Sequence, residues 1–443
     1  MNINKLIKDN PDLKQRKINI DNSTINIIYF ESLCNSSDIN DFILKPIINN
    51  KLNNIDDIKY RLPSNNYLEI TNNKELEFCL YSGFTIININ NDYLAFETKY
   101  SLDSDINEAS NEKVIKGPKD SFSENYQNNL GLIRKRIRSS NLIIKEYVIG
   151  IDSKTKVAFI YMDGIANKDL INKIDKELKN ISINYVANSN YITDSLINNS
   201  IFPKNITTER PDLVSFSLME GRFSIIVENS PQAIIFPSFF SDFFKTIDDY
   251  YQNPINVSLT RIIRIIAFII SIVTPGFYIA LTTFNQETLP TSVLINFSMQ
   301  REGVPFPSII EAILLWISFE ILREADTRVP LVVGSSMSIV GALVLGQAAV
   351  EAGLISPIMI IVIAISSVAS FLFSDNDIVN SIRIWKLIFL LLGSFVGLYG
   401  IFIASLLFII KICSLDSFGF DYIFSKEFDT KKEILWKNLL LLF

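Results

Sequence analysis

From Ile262 to Phe284 the chain carries 23 residues with almost no polar interruption, and a helix needs about 20 apolar residues to cross a hydrocarbon core. Backbone N–H and C=O groups have no water there, so the segment reads as a helix and the chain as a membrane protein. Leu331–Val350, Gly353–Phe373 and Leu387–Cys413 have the same character. Ser308–Leu322 is only fifteen residues long and includes Glu311 and Glu320, so the segment 308–325 is expected to be a re-entrant or interfacial helix. Four spans result, 262–284, 331–350, 353–373 and 387–413.

Orientation follows from basic residues near the spans. Arg261 and Arg264 stand at the start of the first span and place the N-terminal region inside, and four crossings return Lys411, Lys426, Lys431, Lys432 and Lys437 to the same side. Arg383 and Lys386 then fall outside, against the same rule. The start, MNINKLIKDNPDLKQ, lacks the continuous apolar stretch of a signal peptide.

Before residue 256, short β-rich runs alternate with amphipathic charged segments. Thr24–Phe30 reads as a strand, Asp38–Ile48 as a helix after Asn35-Ser36-Ser37, and Gly83–Asn90 with Tyr93–Tyr100 as a hairpin. A Lys-, Asn- and Ser-rich interval over Asp103–Ser123 separates a second lobe. That lobe is expected to hold a basic helix over Asn128–Ser139, a strand at Val157–Met162, a helix at Lys168–Ile181 and a hairpin of Arg222–Val227 with Gln232–Phe236. The predicted fold class is an α/β cytoplasmic N-terminal region of two subdomains (1–110 and 111–255), an α-helical multi-pass transmembrane domain (256–415) and a cytoplasmic tail (416–443). Arg134, Lys135, Arg136 and Arg138 on the basic helix read as a solvated face, or else as a face that docks a partner or lipid headgroups.

The chain has no histidine, and its three cysteines, Cys34, Cys79 and Cys413, are far apart. Histidine-based triads and HExxH zinc chemistry are excluded, and no disulfide framework or paired-cysteine metal motif is present. A net charge of −6 with scattered lysines and arginines gives no nucleic-acid footprint. No catalytic residue, metal ligand or cofactor is expected.

Charged residues inside membrane segments are the remaining functional candidates. Glu311, Glu320, Arg323 and Glu324 lie on the short acidic helix, where Glu320 and Arg323 have the spacing of an i,i+3 pair. They either line or gate a hydrated path or pair for stability inside protein. Gly334, Ser338, Ala342 and Gly346 recur every fourth residue, a stripe that suits close helix packing or a narrow pore lining. Gly393, Gly397, Gly400 and Ala404 make a weaker one. Pro275-Gly276 interrupts the first span and is a candidate hinge or a packed kink.

Several strings resemble the A-subunit family of bacterial spore germinant receptors, the GerA family. They are GPKD at Gly117–Asp120, NLGLIRKRI at Asn129–Ile137, TERPD at Thr208–Asp212, Glu220–Pro237 and DDYY at Asp248–Tyr251. In the membrane region they are PGFYIALTTF, ETLPT, REGVPFP, FEILREA and SIVGALVLGQAAVEAGL, the last from Ser338 to Leu354. The chain departs from the pattern at Asn285, where the family is expected to have histidine, at Glu228-Asn229 in place of Asp-Gly, and in a tail without a proline-rich ending. The resemblance implies a non-enzymatic subunit of a nutrient receptor in the spore inner membrane. It further implies a transporter-like B subunit and a lipoprotein C subunit as partners, and homo-oligomerisation into a gated ion-conducting path. A non-conducting scaffold and a solute transporter are the rival readings.

Overall fold

Strand β2 (Ser23–Phe30) dictates the first lobe, because Ile25 and Ile27 face one way, Ile28 and Phe30 the other, and all four are buried. A strand apolar on both faces needs cover on both. The structure is a computed structural model, and it describes residues 6–7, 10–20, 23–63, 66–90, 92–100, 109, 112, 114–197, 200–328, 346–373 and 375–423. Here β1 (Leu13–Ile20), β2, β3 (Tyr67–Ile70), β4 (Phe84–Ile89) and β5 (Asp92–Glu97) form an antiparallel sheet in the order β1-β2-β4-β5-β3. One face is covered by a helical stretch, Ser36–Asp38, Ile39–Leu44 and Lys45–Asn49, with π winding in its middle, and by α1 (Ile55–Arg61). The other is covered by α2 (Asn73–Tyr81) through Leu80 and Tyr81.

The second lobe begins with α3 (Tyr126–Arg136) and continues through β6 (Leu142–Ile149), β7 (Thr155–Met162), α4 (Lys168–Asn180), α5 (Ser189–Leu196), β8 (Ile206–Thr208), α6 (Pro211–Met219), β9 (Phe223–Val227) and β10 (Ala233–Phe236). Its sheet is antiparallel in the order β6-β7-β9-β10-β8. Each lobe thus runs two strands, two helical segments, a strand, a helix and two strands, with the same strand order. The chain repeats one supersecondary plan. Glu228-Asn229 still makes the β9–β10 turn, since Asn229 takes the left-handed conformation (φ 62°) that asparagine tolerates.

Asparagine is more than compositional background here. Asn35, Asn72, Asn125, Asn167, Asn188 and Asn253 each cap a helix by accepting a hydrogen bond from a first-turn N–H. Removing such a cap typically costs about 1 kcal/mol.

The basic helix corrects the expectation of a solvated face. Arg134 on α3 is fully buried, its Nε and Nη2 donating to Asp12 at 2.6 and 2.7 Å and Nη2 also to Asn10 Oδ1 at 2.8 Å. Phe30 lies under the guanidinium at 4.2 Å. The reason is the partner: a carboxylate from the first lobe meets the planar fork of this one arginine. The neighbouring Arg136 clasps Asp120 with 2.6 Å bonds to both oxygens, and Arg210 binds Asp212 and the Pro118 carbonyl. GPKD, NLGLIRKRI and TERPD therefore meet in one polar joint.

The described residues form two compact units, one holding both large sheets, the other holding residues 200–203 and 239–423. The second unit is helical: α7 (Pro254–Thr283), α8 (Thr291–Arg301), α9 (Ser308–Arg328), α10 (Pro357–Ser370), α11 (Asn376–Val396) and α12 (Leu398–Cys413). Among the described residues α7 and α11 are long and apolar enough to cross a bilayer. Large apolar side chains stay exposed along α7 (Ile262, Ile265, Ile266, Ile269) and α12 (Phe402, Leu406, Ile410), a surface suited to lipid rather than water.

Three expected segments differ. Leu387–Cys413 is two helices broken at Gly397, whose φ of +70° and ψ of −145° suit glycine and whose missing Cβ leaves room for Phe284 and Asn285. Asn285 Oδ1 accepts from the Leu398 N–H at 3.2 Å and so helps start α12. The helix inside 353–373 covers only Pro357–Ser370, since Pro357 and its N-cap Ser356 set its start. The short acidic segment is a 21-residue helix, α9, which at 1.5 Å per residue is about 31 Å long. Of 331–350, positions 331–345, including Gly334, Ser338 and Ala342, lie outside the described residues, and Gly346 has open space where a Cβ would stand.

Candidate functional site

Among the described residues, glycines let helix backbones touch at several crossings. A Cβ on Gly276 would collide with the Phe389 carbonyl of α11, and one on Gly393 would sit 2.6 Å from the Gly276 carbonyl. α7 is unbroken through Pro275-Gly276, so at this pair the structure shows a helix crossing without local unwinding. Gly400 likewise lets α12 rest on the Leu392 backbone.

Against this apolar packing the charges are few and specifically held. Glu311, in the first turn of α9, is wholly buried, and its Oε2 accepts from both the N–H and the hydroxyl of Ser356 at 2.9 Å. Because Ser356 is the N-cap of α10, this carboxylate sits at a helix start, where partial positive charge favours it. Arg301 approaches Glu311 Oε1 to 3.5 Å from the end of α8. Glu311 Oε1, Tyr278 Oη, Ser308 Oγ and Arg301 Nε are buried with no hydrogen-bond partner among the described residues. Buried polar atoms of this kind are rare, and ordered water is what usually satisfies them.

Further along α9, Glu320 pairs with Arg323 at 3.2 Å, the expected i,i+3 pair, and also accepts a hydrogen bond from Arg383 of α11. Glu324 is exposed one turn beyond. The sequence reading missed Arg383, because it placed that residue and Lys386 on the far side of the membrane. Trp385, between them, packs on Phe408, and Phe408 on Phe268, one turn from Arg264. These basic residues therefore share one end of the bundle with Arg261 and Arg264, and the conflict with the distribution of basic residues disappears.

At that end Asp249 receives hydrogen bonds from Arg261 and Arg264 at 2.9 to 3.1 Å. Burial alone raises its pKa, but the two guanidiniums outweigh burial and hold the carboxyl below its ordinary value. DDYY, the string that carries Asp249, is thus the anchor for the start of α7. Among the described residues no group of three or more Cys, Asp or Glu side chains is placed to hold a metal.

Comparison with known proteins follows the same lines. A family profile described as "Bacillus/Clostridium GerA spore germination protein" matches residues 1–441. Spore germination protein KA of Bacillus subtilis (strain 168) is 40% identical over 319 residues, 72% of this chain and 59% of that protein, so the match spans less than two thirds of that relative. Spore germination protein GerQA of Bacillus cereus is 34% identical over 442 residues, 98% of this chain and 88% of that protein. Among solved structures, the N-terminal domain of the A subunit of the Bacillus megaterium spore germinant receptor GerK3 aligns with a TM-score of 0.39 and 24% identity, over 54% of this chain and 94% of that one.

Proposed function

We propose a function from one premise: the chain belongs to the Bacillus/Clostridium GerA family of spore germination proteins. It is a non-enzymatic, membrane-embedded subunit of a germinant receptor. Within that role, several copies assemble so that their helices surround a gated ion-conducting path in the spore inner membrane, with the N-terminal lobes on the core side. A transporter-like B subunit and a lipoprotein C subunit complete the complex, and nutrient binding on a partner opens the path.

The observation that supports conduction is a pair of carboxylates on α9, Glu311 wholly buried in an apolar bundle and Glu320 nearer its end, each held by partners on other helices. A charge buried at membrane depth, as at Glu311, costs about 2.5–3.5 kcal/mol on insertion scales, which a purely structural bundle has no need to bear. Opening then consists of breaking Glu320–Arg383 or Arg301–Glu311, since each tie joins two helices. A second reading, a scaffold that conducts nothing, is favoured by the hydrogen bonds of Glu311 to Ser356, which clamp α9 to α10 whether or not ions pass.

Flux through liposomes holding the full protein with its partners separates the two. Conduction predicts germinant-dependent cation release that E320Q and R383Q alter together. Liposomes that stay electrically silent, in a preparation that still binds its partners, leave the scaffold reading.

A further inference from the structure

Between α9 and α11 one carboxylate is surrounded by three cations. Glu320 accepts from Arg383, lies 3.2 Å from Arg323, and has Lys386 within electrostatic range. Lys386 is 4% exposed and has only the shared Glu320 as a counter-charge, and the buried Nε of Arg383 has no hydrogen-bond partner among the described residues. The other carboxylates nearby are committed elsewhere or face out. Asp375 caps α11 by accepting from the Asp377 N–H, Asp377 is exposed in the first turn, and Glu324 is exposed on α9. A buried guanidinium donor without an acceptor is costly, and a site with more cations than anions favours an anion.

We infer that Arg323, Arg383 and Lys386 form a seat for a phosphate-bearing anion, filled in the membrane by the headgroup of an anionic phospholipid. Among the described residues a phosphodiester brings the count at the seat to three cations against two anions, and it supplies the acceptor that Arg383 Nε lacks. Its oxygens suit the guanidinium fork in the two-bond geometry that arginine makes with phosphate. Access is through the arginines, whose side chains are 24% and 30% exposed, while Lys386 forms the floor. The position suits a lipid as well. Trp385 belongs to an aromatic cluster with Phe202 and Phe408 at the end of the bundle that also carries Arg261 and Arg264, the level at which aromatic and basic side chains meet headgroups. Assignment to the core-side leaflet rests on the proposed orientation of the chain.

The test uses the full-length protein in neutral detergent and follows its thermal midpoint during titration with phosphatidylglycerol, phosphatidylcholine or inorganic phosphate. Phosphatidylglycerol is expected to raise the midpoint saturably and phosphatidylcholine to leave it unchanged. R383Q and K386M are each expected to raise the lipid concentration for half the shift by about fivefold, the weight of one basic residue at an anionic surface. E320Q, which removes the internal competitor, is expected to lower it. K411Q, at the exposed end of α12, is the control and stays at the wild-type value. If K386M does not fold, R383Q and E320Q decide the matter by moving in opposite directions. An equal shift with inorganic phosphate supports the anion seat and overturns lipid as its occupant. No shift with either phosphate compound, or a loss with K411Q as large as with R383Q, overturns the seat itself. Silent liposomes in the flux assay, with the lipid shift intact, count against conduction alone.

Discussion

Replacing Arg134 by methionine removes the one cation that pairs with Asp12 among the described residues. Both side chains are essentially inaccessible, at 0% and 2% exposure, so water does not take over the lost contacts. Asp12 keeps one donor, the Ser32 hydroxyl at 2.7 Å, and Asn10 loses its guanidinium neighbour. Breaking a buried pair from one side costs about 3–5 kcal/mol, chiefly through the charge left behind. At 1.36 kcal/mol per factor of ten, local opening becomes roughly two to four orders of magnitude more frequent. Hydrogen exchange followed by mass spectrometry on the full-length protein reads this directly in peptides covering 10–30 and 126–137, which lie on the two sides of the joint. Arg134→Lys is expected to fall between, because an ammonium keeps the charge but not the fork. The double variant R134M with D12L is expected to recover much of the loss, with a coupling of about 2 kcal/mol between the two positions. Exchange that rises less than about tenfold in R134M, or single effects that simply add, refutes the idea that this ion pair joins the lobes.

Three further outcomes follow from the same geometry. Gly276→Ala or Gly393→Ala forces α7 and α11 apart, and overpacking of this kind lowers stability by about 1–3 kcal/mol, read as a fall in the thermal midpoint of the detergent-solubilised protein. Burial pushes the Glu112 carboxyl up to about 7, with bonds from Thr208 Oγ1 and the Glu209 N–H only partly opposing it. Its folded pKa is raised, so its contribution is fully present below the ordinary 4.5 and is lost as pH rises through about 7. Glu112→Gln should therefore remove up to about 3 kcal/mol of pH dependence from stability curves across that window, and an unchanged slope contradicts the assignment. Cys413 is exposed while Cys34 and Cys79 are buried, so a membrane-impermeant maleimide should label one cysteine per folded chain and, under the proposed orientation, only from the core side.

Local patterns predicted local structure well. The strand at Val157–Met162, the helix from Lys168 and both hairpins stand within a few residues of their expected bounds, because each is fixed by a short-range period and a turn residue. The first span was equally plain, since length and apolarity suffice for a helix in lipid. Gly397 shows the limit of that test: hydropathy is continuous across it, and only the approach of Phe284 and Asn285 from another segment explains the break. β1 and β6 were missed because polar residues break up their apolar pattern, and their place is fixed by pairing with β2 and β7.

The candidate site was legible as a set of residues but not as a set of partners. Glu311, Glu320 and Arg323 stand out because carboxylates and guanidiniums are rare at membrane depth. What each does depends on Ser356, 45 residues away, and on Arg383, 63 residues away, and no local period carries that information. Arg134 makes the same point more sharply. By composition alone its helix is a solvated basic face, and a single aspartate 122 residues earlier turns one of its four cations into the most deeply buried charge of the lobe pair. Side-chain charge in this chain therefore has to be read in pairs: an arginine whose carboxylate lies on another element, as at positions 134 and 383, ties that element down.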